Sequence, residues 1–360
     1  METYDALLLS KPALFTKAQM PDLNFGHISN LTNKTGIIQH ALFEMPNRKE
    51  GYCIDDNARA LLFAVWACKN NKKDQISHDL LLIYLSFIHY MQSEDGYFRN
   101  FLSYTMTVTE DRGSEDSFGR TMMALGFLIN EGSSHLSIRT AQGIFTKAYP
   151  HVNKLTSLRG IANTIVGICQ FIKYNYPDDL KRNMVIHLAD KMVTMYKDSK
   201  ICDWQWFEPI LTYDNAMLPL ALLNAFEVTQ HNEYLEIAFE SMTFLESKVF
   251  HNDILRPIGN AGWHECGGPI ARFDQQGIDV MAMVLFYQQA FRITGEQLYL
   301  DRMYKCYQWF LGDNDMRLPL YDVSTGGCAD GLHMEGINLN QGAESTLAYW
   351  ISHLVVASTL

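Results

Sequence analysis

The chain has 360 residues, 48% hydrophobic and 19% charged, with a formal net charge of −11. That composition supports a large core and excludes general disorder. The acidic balance and the lack of a Lys/Arg block exclude binding by neutralising phosphates or anionic lipid, so no nucleic-acid or membrane partner is expected.

Taken in chain order, METYDALLLSKP (1–12) has no basic start and only a four-residue apolar stretch, and does not read as a signal peptide. TGIIQHALFEM (35–45) is predicted as an outer helix. GYCIDDNARALLF (51–63) sets Asp55 and Asp56 side by side at the start of an apolar run, followed by Asn57 and Arg59. Adjacent like charges are costly to bury. A helix N-terminus, with its unsatisfied N–H groups and partial positive charge, is where such a pair is tolerated, and either acid is a candidate N-cap. LLLIYLSFIHYMQ (80–92) has the three- and four-residue apolar spacing of a one-faced helix. YFRNFLSYTMTV (97–108), after the turn pair Asp95-Gly96, reads as a hairpin.

EDSFGRTMMALGFLI (115–129) and GIANTIVGICQFI (160–172) again open polar or glycine-rich and turn apolar on all sides, as do DDNARALLFAVWAC (55–68), YDNAMLPLALLNAF (213–226), FDQQGIDVMAMVLFYQQAF (273–291) and NQGAESTLAYWISHLVVAS (340–358). Between them lie more charged, amphipathic runs at 188–198, 234–250 and 298–311. A helix apolar all round belongs inside and one with a charged face outside. This alternation is a weak internal repeat. It predicts an all-α (α/α)6 toroid, one domain over 1–360, with at most a short β-hairpin in its loops. The seven scattered cysteines read as reduced, structural thiols of a cytoplasmic protein.

In such a ring the inner helices start at one mouth. Their starts gather Asp55, Asp56 and Arg59; Glu115, Asp116 and Arg120; Trp204, Trp206, Tyr213 and Asp214; Trp263, Asp274 and Gln276; and Asn340, Gln341 and Glu344. Aromatic faces stack on pyranose rings, while carboxylates and amides bind hydroxyls. Two carboxyl groups across the bowl suit glycosidic acid–base chemistry, at the wider inverting separation of roughly 6.5–9.5 Å. Asp56, Asp116, Asp274 and Glu344 are the expected acid/base pool. The substrate contacts expected are Asp55, Arg59, Glu115, Arg120, Trp204, Trp206, Tyr213, Asp214, Trp263, Gln276, Asn340 and Gln341. For Asp214, helix capping competes with a place in the mouth.

The six spaced starts, YDNAMLPLALL (213–223) and the tryptophan-acid loops resemble the six-hairpin glycosidase superfamily, and YDNA is similar to sugar-processing toroids such as α-1,6-mannanases and N-acylglucosamine 2-epimerases. YCIDDNARAL, SEDSFGR and NQGAESTLAY resemble a bacterial group of toroids found alone or fused behind glycosyltransferase domains, near mannoside phosphorylases. The resemblance implies a glycoside hydrolase acting on a short oligosaccharide, with a mannoside first, and a glycosyltransferase or phosphorylase in the same pathway. A glycan-binding toroid without turnover and a sugar epimerase or isomerase are the alternatives. The 2-epimerases rely on paired histidines, and this chain's histidines do not sit at the corresponding starts.

No metal or cofactor is expected. In DDNAR the position of the last acid of a magnesium-binding DDxxD run is Arg59, which repels a metal. His264, Cys266, Cys328 and His333 lack a standard zinc spacing.

Overall fold

A computed structural model of the chain describes residues 20–71 and 74–359; METYDALLLSKP lies outside them. A short helix, α1 (Gly26–Leu31), precedes an alternation of inner and outer helices. The order is α2 (Ile54–Asn70), α3 (Gln75–Met91), α4 (Glu115–Glu131), α5 (His135–Ala148), α6 (Leu158–Tyr174), α7 (Asp179–Ser199), α8 (Met217–Thr229), α9 (Asn232–Val249), α10 (Gly277–Thr294), α11 (Gln297–Gln308) and α12 (Ala343–Thr359).

The even-numbered helices from α2 to α12 are inner. They form a closed circle in which each packs on the next and α12 packs back on α2. Burial matches the sequence pattern that predicts it. Every residue of α6 from Leu158 to Ile172 is buried. The outer α7 buries only Val185, Leu188, Ala189, Met192, Val193 and Tyr196, the stripe of a single face.

Helix starts are set by side chains that accept orphan N–H groups. Ser114 accepts from Ser117 before α4, and Ser157 from Gly160 before α6. Before α2 the cap is Cys53, whose sulfur accepts the Asp56 N–H at 3.4 Å. Neither Asp55 nor Asp56 caps; both occupy the first turn, where the macrodipole favours them.

The helix predicted over 35–45 does not form. Asn57 takes its backbone groups instead, accepting the Ile37 N–H at 3.0 Å and donating to the Ile37 carbonyl. Ile37 bridges to Thr32, and Ala41–Leu42 pairs antiparallel with Met45–Pro46. The segment is extended, which sends Gln39 and His40 into the mouth. The expected hairpin over 97–108 is present as a bridge between Leu102 and Val108, and its Phe101–Leu102 also pairs with Tyr52–Cys53. The last three inner helices start three or four residues later than the sequence suggests. Asp214 takes a left-handed φ of 53° before α8, so it ends a loop rather than capping a helix.

α4 and α6 make the closest helix pair, with Gly119 and Gly126 against Gly160 and Gly167. A Cβ on Gly126 would lie 2.3 Å from the Gly167 carbonyl oxygen, and backbone cannot swing aside. Gly126→Ala is therefore expected to cost about 1–3 kcal/mol of stability by overpacking. Urea unfolding checks this, and an unchanged midpoint would refute the close crossing.

Candidate functional site

The starts of α2, α4 and α12 and the loops before α8 and α10 enclose a cavity of about 390 Å³ lined by Asp55, Asp56, Arg59, Arg120, Tyr213, Trp263, Gln276 and Glu344. Its floor is an ionic lattice. Arg59 binds Asp56 Oδ1 at 2.9 Å and Glu344 Oε2 at 2.7 Å. Arg120 binds Asp55 Oδ1 at 3.0 Å and Asp214 Oδ2 at 3.2 Å. Burial pushes the Asp56 carboxyl up to about 6 against the pull of Arg59. Burial also raises Asp214, against Arg120, and raises Asp279 well above the carboxylate range. The Asp214 and Asn215 backbone N–H groups pull the Asp279 carboxyl the other way, more weakly.

A second cavity of about 270 Å³ shares Gln39, His40, Asn260, Gln276 and Glu344 with the first and adds Asp274, Asp330, His333, Asn338 and Ser345. The two form one cup. His333 Nδ1 meets Asp274 Oδ1 at 2.5 Å, both side chains about two-fifths open. Asp330 accepts from the Gly342 N–H and the Ser345 hydroxyl, and its burial raises its pKa. Glu344 is 41% open, and its Oε1 has no partner among the described residues. Gln275, next to Asp274, is anchored by the bond from its Nε2 to buried Asp315, which also holds Arg256 and Arg272.

No family model and no curated protein matches the sequence. Solved structures do match in shape. A crystal structure of D-mannose isomerase aligns over 93% of this chain and 95% of its own, with a TM-score of 0.69 and 10% identity. Cellobiose 2-epimerase from Bacillus thermoamylovorans gives 0.68 and 12%, covering 92% and 94%. A GH76 α-mannanase from Bacteroides thetaiotaomicron gives 0.65 and 12%, covering 92% of each chain. The chain has the (α/α)6 toroid fold.

Around the toroid's mouth, the structure brings Asp55, Asp56, Arg59, Arg120, Tyr213, Trp263, Asp274, Gln276 and Glu344 to the cup. Other expected residues do other work. Asp116 sits behind the wall, accepting from Ser157 Oγ and from the Tyr213 hydroxyl, and it is Tyr213 that lines the cup. Glu115 accepts the Thr156 and Ser157 N–H groups and ties α4 to the start of α6. Asp214 lies beneath the cup floor, 1% exposed. Trp204 and Trp206, 3% and 0% exposed, offer no face to a sugar: Trp204 donates to the Glu208 carbonyl and both rings pack on Phe244. Asn340 and Gln341 are tethers, the first accepting the Phe43 N–H and the second spanning Thr325 and Asp322.

Sequence reasoning missed Gln39 and His40, hidden by the wrong helix assignment at 35–45, and Asn260. It also passed over Arg159. That buried arginine of the toroid donates to Glu208, Thr212 and the Tyr213 carbonyl, and so shapes the loop that presents Tyr213. An arginine in the first turn of an otherwise apolar helix was the available signal. Among the described residues no group of three or more His, Cys, Asp and Glu side chains is arranged to hold a metal. No described helix is long and apolar enough to cross a membrane.

The Asp56 shift has a measurable consequence. Its folded pKa of about 6 exceeds the ordinary 3.8, so the folded state takes up a proton first as pH falls. Asp56 therefore contributes stability that is complete below about 3.8 and is lost as pH rises through about 6. Between pH 7 and pH 5 the toroid is expected to gain about 1 kcal/mol relative to an Asp56→Asn variant. Parallel urea titrations of the two proteins read the difference; a gap that does not change with pH would contradict the buried carboxyl.

Proposed function

We propose that the protein is a carbohydrate-active enzyme that cleaves a short oligosaccharide with inversion, a mannoside being the first substrate to test. One observation carries the reading: five carboxyl groups, Asp55, Asp56, Asp274, Asp330 and Glu344, line the cup against two guanidinium groups, Arg59 and Arg120. Glycosidic cleavage passes through an oxocarbenium-like state that carries positive charge, and a cup with excess negative charge stabilises it. Trp263 and Tyr213 supply aromatic surface for a pyranose, and Gln276, Asn260 and Gln39 supply amides for its hydroxyls.

Glu344 and Asp274 form the acid/base pair in this reading. They line the same cavity, each is open, and each keeps one carboxylate oxygen without a partner among the described residues. Two contiguous chambers leave space for a water between sugar and base, as inversion requires. The names of the fold's matches, a mannanase among them, agree with a sugar as substrate class.

A second reading, epimerase or isomerase, is favoured by His40 and His333 in the cup and by the isomerase and epimerases among the matches. Proton abstraction beside a carbonyl builds negative charge, however, and the two arginines here are already paired with acids. The deciding experiment incubates the protein with manno- and gluco-oligosaccharides, and separately with mannose and cellobiose, all in deuterated water. Release of a reducing sugar in the inverted anomeric form, without deuterium at C2, is the expected result. Deuterium at C2 without cleavage would establish the second reading instead.

A further inference from the structure

The opposite mouth of the ring, where the inner helices end, holds a well of about 290 Å³ to which all six inner helices contribute. Its wall is apolar, with Trp66 and Phe127 in an edge-to-face pair and Leu285 and Leu354 across from them. Of the five amide side chains that line it, Gln170, Asn224 and Gln289 are nearly buried, only 3%, 3% and 5% exposed. Each uses one end of its amide inside the protein. Gln170 Oε1 accepts from Asn130, Asn224 Nδ2 donates to the Leu220 carbonyl, and Gln289 Nε2 donates to Glu227. The other ends, Gln170 Nε2, Asn224 Oδ1 and Gln289 Oε1, have no hydrogen-bond partner among the described residues. None of the three is sealed away from the cavity as an orphaned buried atom. A nearly buried amide left half-used beside an open cavity is a binding group awaiting a partner.

The charge pattern fixes the class of that partner. Glu131 on the rim is paired with Lys69 at 3.1 Å, and Glu227 with Lys173 at 2.8 Å and Arg292 at 3.7 Å. The charged groups stand in ion pairs at the mouth, three cations to two acids, and inside the well the three nearly buried amides present one donor and two acceptors beside aromatic surface. We infer that this well binds a small uncharged ligand with an apolar ring and hydroxyl groups, of the aryl glycoside class, at a site separate from the cup. The apolar ring lies against Trp66 and Phe127. Hydroxyl groups donate to Asn224 Oδ1 and Gln289 Oε1 and accept from Gln170 Nε2. A volume near the lower end of ligand pockets limits the occupant to about one sugar ring with one small substituent. The inference stands on the well's own chemistry and does not depend on the reaction assigned to the cup.

Calorimetry with phenyl 1-thio-β-D-glucopyranoside, whose sulfur linkage resists hydrolysis, tests it on the full chain. The expected result is binding that falls at least tenfold in Asn224→Leu, which keeps side-chain size and removes the free acceptor. Gln288→Trp, at the half-buried rim, fills the mouth without touching the amide core; it should weaken binding similarly and guards against a folding defect in the first variant. Activity at the cup should be unchanged in both. Absence of binding to the wild-type protein, or binding left intact by both substitutions, would overturn the inference.

Discussion

Glu344→Gln is expected to lower turnover on the cup's substrate by roughly 10²–10⁴-fold, the usual contribution of a positioned acid or base. The variant should fold, because Glu344 is 41% open and buried Arg59, which loses this partner, keeps Asp56 Oδ1 at 2.9 Å. Asp274→Asn should show a loss of the same order, with KM less affected than kcat in both cases. Asp116→Asn is the control that separates chemistry from positioning. Asp116 touches Tyr213, not the cup, so its loss should raise KM through a displaced Tyr213 ring and leave kcat within about tenfold of the wild-type value. Initial-rate kinetics on the substrate found in the panel read all three. Undiminished turnover in both Glu344→Gln and Asp274→Asn would remove this pair as acid and base.

The ring itself was legible because burial leaves a strong mark on composition. GIANTIVGICQFI can be soluble only inside something, and α6 is indeed buried through that whole run. The cup was legible in part. Glu344, Asp274 and Arg59 stand at inner-helix starts, and the fold carries such starts to one mouth. What failed was the distinction between a polar residue that faces the cup and one that holds a loop. Glu115 and Asp116 occupy the first turn of α4 and Arg120 the second; the two acids turn to Ser157, Thr156 and Tyr213, while Arg120 reaches the floor. Glu115 is turned roughly 140° from Arg120, but Asp116, four residues before it, shares its face and is drawn aside by Ser157 and Tyr213, partners that nothing in the sequence names. Trp204 and Trp206 failed for a related reason. Their loop folds back over α9, and the indoles that looked free for a ligand serve as its core. His40 was missed because its helical-looking spacing over 35–45 is overridden by Asn57, a tertiary contact 20 residues away.

The answer to why two acids stand together at the start of α2 lies in their separate partners, and removing one partner should show it. Asp56 goes to Arg59 and Asp55 to Arg120, so the pair is split between two guanidiniums. Arg120 also carries Asp214, which is 1% exposed and whose Oδ1 has no hydrogen-bond partner among the described residues. Arg120→Met is therefore expected to cost about 3–5 kcal/mol of stability at pH 8, the cost of leaving a buried charge uncompensated. The sign of the pH dependence follows from the same geometry. Without Arg120 the Asp214 carboxyl rises further, so its protonated form is favoured in the folded state; that stability is present at low pH and lost as pH rises. The gap between wild type and variant should accordingly narrow at pH 5 and widen at pH 8. Adding Asp214→Asn to Arg120→Met removes the stranded charge and should restore part of the loss, a coupling of about 0.5–3 kcal/mol between neighbours in one network. Urea unfolding of the four proteins of this cycle at both pH values measures it. A cost below about 1 kcal/mol that is the same at both pH values would mean the lattice beneath the cup is not held by charge compensation.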